Sequence, residues 1–247
     1  MIEVGTIQRL ATQCQTTTMN VAREYCQHLF LAALYQRQAA SRVLFKGGTA
    51  LRILYGSPRF SEDLDFSGFG IRPPAIEELI TETLSAVERV GAAIDIEEAK
   101  ATSGGYLGII HCRFLDYHVE IRVEISLRAR GTLTSETTLI ASDFLPAYTV
   151  AHLSQETLVG EKLQALLDRA KPRDFYDLYF IIRKGLWPQP SRPLLKAVLG
   201  RLQSVRPAAL QELKLFLPRD QQSLIKDFRA TLERELRRYL GHATTSR

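Results

Sequence analysis

The chain has 247 residues, 45% of them apolar and 24% charged, with a formal net charge of +5, which excludes a disordered protein and provides for one large or two small cores. Its three cysteines, Cys14, Cys26 and Cys112, lie far apart and form no CxxC pair, so neither a disulfide framework nor a cysteine zinc site is indicated and a reducing compartment suits them. The start lacks a basic segment followed by an apolar one, and the longest apolar run, 29–34, is far too short to span a bilayer, so the reading is a cytoplasmic, untargeted protein without a membrane partner.

Apolar residues recur at helical spacing over 20–40 (Val21, Tyr25, Leu29, Ala32, Ala33), with Arg23, Glu24 and Gln27 between them and Thr18 or Asn20 as the cap. Val43-Leu44-Phe45 reads as a short buried strand. Lys46-Gly47-Gly48 then turns the chain into a helix over 49–55, which Gly56 ends in the left-handed conformation. In 63–66, Leu64 and Phe66 alternate with Asp63 and Asp65, the pattern of a strand with one face in the core. Pro73 and Pro74 open a helix that runs to 90 and stops at Gly91.

Three strand-like runs follow, at 93–97, 106–114 and 117–127. Only Leu115-Asp116 separates the last two, which predicts a hairpin. In its second strand His118, Glu120, Arg122, Glu124 and Ser126 alternate with Val119, Ile121, Val123, Ile125 and Leu127, so one face is polar. From Ser154 onward strand signals vanish. Ser154 caps a helix to 168, Pro172 opens another to 183, and helical segments continue with breaks near 185–193, Pro207 and Pro218. The expected class is α+β, with a mixed αβ lobe in residues 1–150 that includes the N-terminal helix, and a helical lobe in 151–247.

Charge is unevenly spread along the chain. Residues 183–247 carry 14 Lys/Arg against 5 Asp/Glu, a net +9, which leaves −4 for the rest. A basic helical tail on a slightly acidic body attracts a polyanion such as RNA, and it equally describes a solvated, arginine-rich surface.

The chemistry concentrates in two stretches. A phosphate chain needs backbone N–H donors with no Cβ in the way, and Gly47-Gly48 at a helix N-terminus supplies them with a favourable dipole. Thr49 adds a hydroxyl donor, and Lys46 and Arg52 add charge nearby. A double glycine is also simply a tight strand-to-helix turn. Asp63 and Asp65 emerge on one face about 6–7 Å apart, where they repel by about 2–3 kcal/mol at an effective dielectric near 20 and where divalent cations can bridge them. An exposed pair at a strand end is the other reading. Linked across thirteen residues, 50–62, the two features are far more specific than either alone.

Gly48-Thr49, thirteen residues and then Asp63-Leu64-Asp65-Phe66 resemble the signature of the DNA polymerase β-type nucleotidyltransferase fold. More narrowly, Phe45-Lys46-Gly47-Gly48-Thr49-Ala50-Leu51, Arg59-Phe60-Ser61-Glu62-Asp63-Leu64-Asp65-Phe66, Glu161-Lys162-Leu163 and Arg173-Asp174-Phe175-Tyr176-Asp177-Leu178 resemble the AbiEii/AbiGii nucleotidyltransferase toxin family, over about residues 20–183. The resemblance implies a polymerase-β-like lobe with a mixed sheet and a two-metal site for Mg²⁺, with Mn²⁺ as a substitute. Asp63 and Asp65 are its metal ligands, and a third carboxylate comes from a neighbouring strand. Glu124 is the candidate for that third ligand, where the superfamily usually has Asp, and Glu120 on the same face is the reserve.

The same resemblance assigns Lys162 to the triphosphate and makes Asp174 an active-site residue. Asp177 is left between function and an ion pair with Arg169, Arg173 or Lys171. Lys46, Gly47, Gly48, Thr49 and Arg59 complete the expected nucleotide site, Arg59 either on phosphate or bridging to Glu62. The five histidines, His28, His111, His118, His152 and His242, show no metal-ligand spacing and read as structural.

The implied reaction moves a nucleoside monophosphate from an NTP to an acceptor hydroxyl and releases pyrophosphate. By resemblance the acceptor is RNA, first of all a tRNA 3′ end, and the role is the toxin of a type IV toxin–antitoxin pair, with an antitoxin protein as partner, or a phage-defence module. Nucleotidylation of a protein hydroxyl and a non-catalytic nucleic-acid-binding or regulatory module are the alternatives. A monomer is the default state.

Overall fold

Glycines and prolines punctuate the computed structural model much as they do the sequence; residues 1–127, 134–187 and 190–242 are described. The chain enters through α1 (Val4–Gln13), which buries Ile7, Leu10 and Ala11, and α2 (Thr18–Leu34). Thr17, rather than Thr18 or Asn20, caps α2, its hydroxyl accepting the Asn20 N–H at 3.2 Å. The helix also stops short of residue 40. Tyr35 leaves it, its hydroxyl donating toward the Val43 and Ala151 carbonyls at 2.8 and 2.7 Å, and Gln38–Arg42 form a 3-10 turn.

β1 (Val43–Lys46) runs directly into α3 (Gly47–Tyr55), closed by Gly56 at φ 76°. After β2 (Asp63–Gly68) and α4 (Pro73–Arg89), the strands β3 (Ala93–Thr102), β4 (Gly105–Phe114) and β5 (Tyr117–Leu127) form an antiparallel meander. β3 extends beyond 97 because a bulge between Ile96 and Glu98 lets its second half keep pairing with β4. Two strands went unpredicted, β6 (Ser135–Ile140) and β7 (Tyr148–Leu153). In β6 only Ile140 is buried, so the alternation that marks a strand is missing there.

The seven strands make one mixed sheet in the order β3-β4-β5-β2-β1-β7-β6. The β2–β5 and β1–β7 pairs are parallel and the others antiparallel. β2 is therefore the central strand. Val119, Ile121, Val123 and Ile125 of β5 are buried, and α2 packs on β5 and β7 with α4 beside it. Each such side chain removed from water contributes about 1.5–3 kcal/mol, which fixes the register and leaves the alternate residues of β5 on the polar face.

The chain divides into two compact units, Met1–Ser154 and Gln155–Arg247. The second is helical: α5 (Gln155–Arg169), α6 (Pro172–Lys184), α7 (Arg192–Ser204), two 3-10 segments at Pro207–Leu215 and Arg219–Gln221, and α8 (Leu224–His242). Its core includes Leu163, Leu166, Phe175 and Leu195, with the Tyr176 ring stacked on Phe228 at 6.1 Å. Among the described residues no helix is long and apolar enough to cross a membrane.

Candidate active site

Strand register assembles the acidic site. Leu64 and Phe66 are fully buried, so Asp63 and Asp65 point to the opposite side of β2, where both are half-buried. Asp65 is opposite Lys46 of β1 on one flank and Glu124 of β5 on the other, and Asp63 is opposite Arg122. Neighbouring strands lie about 4.8 Å apart, so Asp63, Asp65 and Glu124 form one patch of hard oxygen ligands. Arg122 Nε donates to Glu124 Oε1 at 2.6 Å and orients that carboxylate, and each of the two side chains is 45% exposed.

The glycine pair is shaped by its neighbours. Gly47 sits at φ 85°, and a Cβ there would lie 2.1 Å from Asp65 Oδ2 and 2.7 Å from Asp65 Cβ. A Cβ on Gly48 would come within 2.5 Å of Arg59 Nη2 and 2.8 Å of Ser61 Oγ. A tight turn alone would not require such close approach. The backbone at the start of α3, where the first N–H groups lack helical partners, is thereby pressed against the central aspartate.

Several polar side chains near the glycine pair bond to the surrounding backbone. Thr49 is buried and its hydroxyl donates to the Asp63 carbonyl, which ties α3 to β2. Arg59 is 3% exposed, lies against Gly48 and donates to the Phe60 carbonyl at 3.0 Å, while Glu62 pairs with Arg23 at 3.7 Å. The alternative of an Arg59–Glu62 bridge is therefore not realised. Arg52 is clamped by both Glu24 oxygens at 2.6 and 2.8 Å, donates to the Ser57 and Pro58 carbonyls at 3.0 Å each, and lies 3.5 Å over the Phe60 ring. It holds the segment leading into β2.

Gln27 is the positioning residue that sequence reasoning missed. It is 1% exposed, and its Nε2 donates to the Ser61 and Glu62 carbonyls at 2.9 and 3.1 Å, just ahead of Asp63. The available signal was an amide set among the mostly apolar positions of this helix. Glu120 separates clearly from Glu124. It pairs in register with His111, precedes the first β2–β5 rung at Arg122, and lies four residues, about 13 Å, along the strand from Glu124. Register thus places Glu124, and not Glu120, beside Asp65.

In the second unit, Lys162 Nζ donates to Asp177 Oδ2 at 2.7 Å, with the two side chains 12% and 1% exposed. Arg169 grips Asp174 through two bonds of 2.9 and 2.7 Å, and Asp174 also accepts the Lys171 N–H at 3.1 Å as part of a capping box. Lys162 is thus among the partners of Asp177, which was not foreseen, and Arg169 bonds Asp174. Asp174 and Asp177 are buried along with Phe175, Tyr176, Leu178, Ile181 and Ile182, with their charges neutralised by Arg169 and Lys162 inside the unit.

Solved structures share this fold. A crystal structure described as a candidate nucleotidyltransferase from H. pylori superposes with a TM-score of 0.64 at 20% identity, covering 90% of this chain and 95% of that one. JHP933 from Helicobacter pylori gives 0.58 at 20% identity, covering 93% and 98%. The fold is the one these structures share. The model of the family described as nucleotidyl transferase AbiEii toxin, type IV TA system, matches residues 29–245, and the chain belongs to that family. No curated protein sequence matches it.

Proposed function

We propose that the chain transfers a nucleoside monophosphate from an NTP to a hydroxyl of RNA, with a tRNA 3′ end as the first candidate, in a Mg²⁺-dependent reaction for which Mn²⁺ can substitute. The observation that carries the reading is the position of Asp65, in contact with Gly47 at the start of α3 and in register with Glu124. An all-oxygen donor set suits a hard cation, and Asp63, Asp65 and Glu124 would hold two such ions. When bound, they neutralise the triphosphate and acidify the acceptor hydroxyl.

The protein's own groups supply the rest. Gly47 and the first-turn N–H groups of α3 receive phosphate oxygens, with Lys46 beside them. Glu124, aimed by Arg122, takes the proton of the acceptor hydroxyl. The hydroxyl oxygen then forms its bond to the α-phosphorus as the bond to pyrophosphate breaks. Gln27 and Arg52 fix the segment that presents Asp63. For Lys162 and Asp174 the support is the family motif alone.

An RNA acceptor is supported by the exposed basic side chains of the second unit, among them Arg192, Lys196, Arg201, Arg206, Lys214 and Arg219. The biological role in this reading is that of a monomeric cytoplasmic toxin restrained by an antitoxin protein, with phage defence as the wider setting. Incubation with each labelled NTP, Mg²⁺ and either total RNA or total protein tests it. Label in RNA supports the proposal, label in protein replaces the acceptor, and no label in either overturns it in favour of a non-catalytic module.

A further inference from the structure

The polar face of the β3–β4–β5 meander carries a second group of ligands away from the acidic patch. Glu97, His111 and Glu120 each come from a different strand, and one ligand atom from each lies within 4.8 Å of the other two. The β3 bulge brings Glu97 there. The ladder steps from Ile96↔Ile110 to Glu98↔Ile109, Glu97 is the extra residue, and its Oε2 lies 2.6 Å from His111 Nε2. His111 is in turn the register partner of Glu120. Among the described residues no Lys or Arg pairs with Glu120, although its carboxylate adjoins that of Glu97. An ion pair between Glu97 and His111 therefore leaves a second negative charge uncompensated.

We propose that Glu97, His111 and Glu120 bind a divalent first-row transition ion of the Zn²⁺ class. Three atoms no more than 4.8 Å apart share a central point about 2.8 Å or less from each, and small rotations of two half-free glutamate chains shorten this to the about 2.0–2.2 Å of Zn–N and Zn–O bonds. The donor set explains the choice of metal. Imidazole favours Zn²⁺, Co²⁺ or Ni²⁺ over Mg²⁺, whereas Asp63, Asp65 and Glu124 offer oxygen only. The two sites are thus separated by chemistry as well as by the length of β5 between Glu120 and Glu124. Three protein ligands on an exposed face leave a position for water, and the bound ion cross-links β3, β4 and β5.

The test uses the full-length chain with Asp63→Ala and Asp65→Ala, which removes the oxygen-only site. Zn²⁺ is titrated calorimetrically and Co²⁺ by its visible absorption. One equivalent of either ion is expected to bind, with the cobalt band reporting an imidazole ligand. His111→Gln should weaken binding at least about tenfold, and Glu97→Gln and Glu120→Gln should do likewise, while His118→Gln on the same face should not. Zn²⁺ should also raise the Tm of the background protein and not that of its His111→Gln form. Absence of stoichiometric binding, or binding indifferent to His111→Gln, overturns the proposal and identifies the trio as a surface ion pair. Neither result depends on whether nucleotide is transferred.

Discussion

The carboxylate of Asp65 occupies the space that a side chain on Gly47 would need, 2.1 Å from where the Cβ would stand. One glycine thus serves two purposes, allowing φ 85° and letting an acidic group touch the start of a helix. Gly47→Ala must strain the backbone and displace Asp65. The expected cost is about 1–3 kcal/mol in stability, with nucleotide transfer reduced beyond what the loss of folded protein explains. Thermal denaturation and transfer assays on the same preparation would check both. Wild-type activity in Gly47→Ala would show that the contact is incidental.

Asp63→Ala removes a proposed metal ligand from the half-buried polar face of β2 without opening a cavity in the core. Transfer should fall by at least about a hundredfold while Tm stays within a few degrees. Retention of full turnover by the purified variant would refute the assignment of the acidic patch.

Register, rather than residue type, distinguishes the two glutamates of β5. The fall in transfer for Glu124→Gln should exceed that for Glu120→Gln by at least about a hundredfold at saturating Mg²⁺. Equal losses would mean that adjacency to Asp65 is not what the reaction uses.

Lys162 stands beside a carboxylate that is 1% exposed. Lys162→Met leaves that charge in the interior with less compensation, and unfolding by urea should show a loss of about 3 kcal/mol. Adding Asp177→Leu should restore part of it. A single variant with unchanged stability would point to a Lys162 whose value lies outside the fold.

Burial, followed by the nearby Arg52 charge, pushes the pKa of His28 down to about 4. The unfolded chain takes up this proton near pH 6.5 and the folded chain does not, so stability is full above pH 6.5 and declines as pH falls toward 4. The decline attributable to His28 is about 3 kcal/mol. Urea titrations at several values between pH 7.5 and 4.5 should show His28→Gln lacking this component. An identical pH slope in the variant would place the acid sensitivity elsewhere.

Local signals were well expressed in the sequence. Gly56 as a left-handed helix end, the helix break at 185, Pro73 and Pro172 as helix openers, and the alternation through 117–127 all correspond to observed features. They depend on neighbours along the chain. Features set by tertiary pairing were not legible: β6 and β7 are recognised by their ladder, and Thr49, Arg52 and Arg59 are employed by backbone carbonyls that periodicity does not reveal. Asp63 and Asp65 could be read from spacing, and Glu124 was already preferred to Glu120; what needed the β2–β5 register is that Glu124 stands beside Asp65. His111 is the opposite case, since its companions are distant in sequence and meet only across three strands.

The parallel pairing of β2 with β5 sets an order of assembly. Asp65 and Glu124 become neighbours only after α4, β3 and β4 have been laid down between them, a long loop whose closure must precede any benefit from the contact. A nascent or truncated chain that ends before β5 carries the Gly47–Gly48 turn and both aspartates yet lacks the third carboxylate. Under the proposed assignment, such a fragment would transfer no nucleotide until β5 is in place.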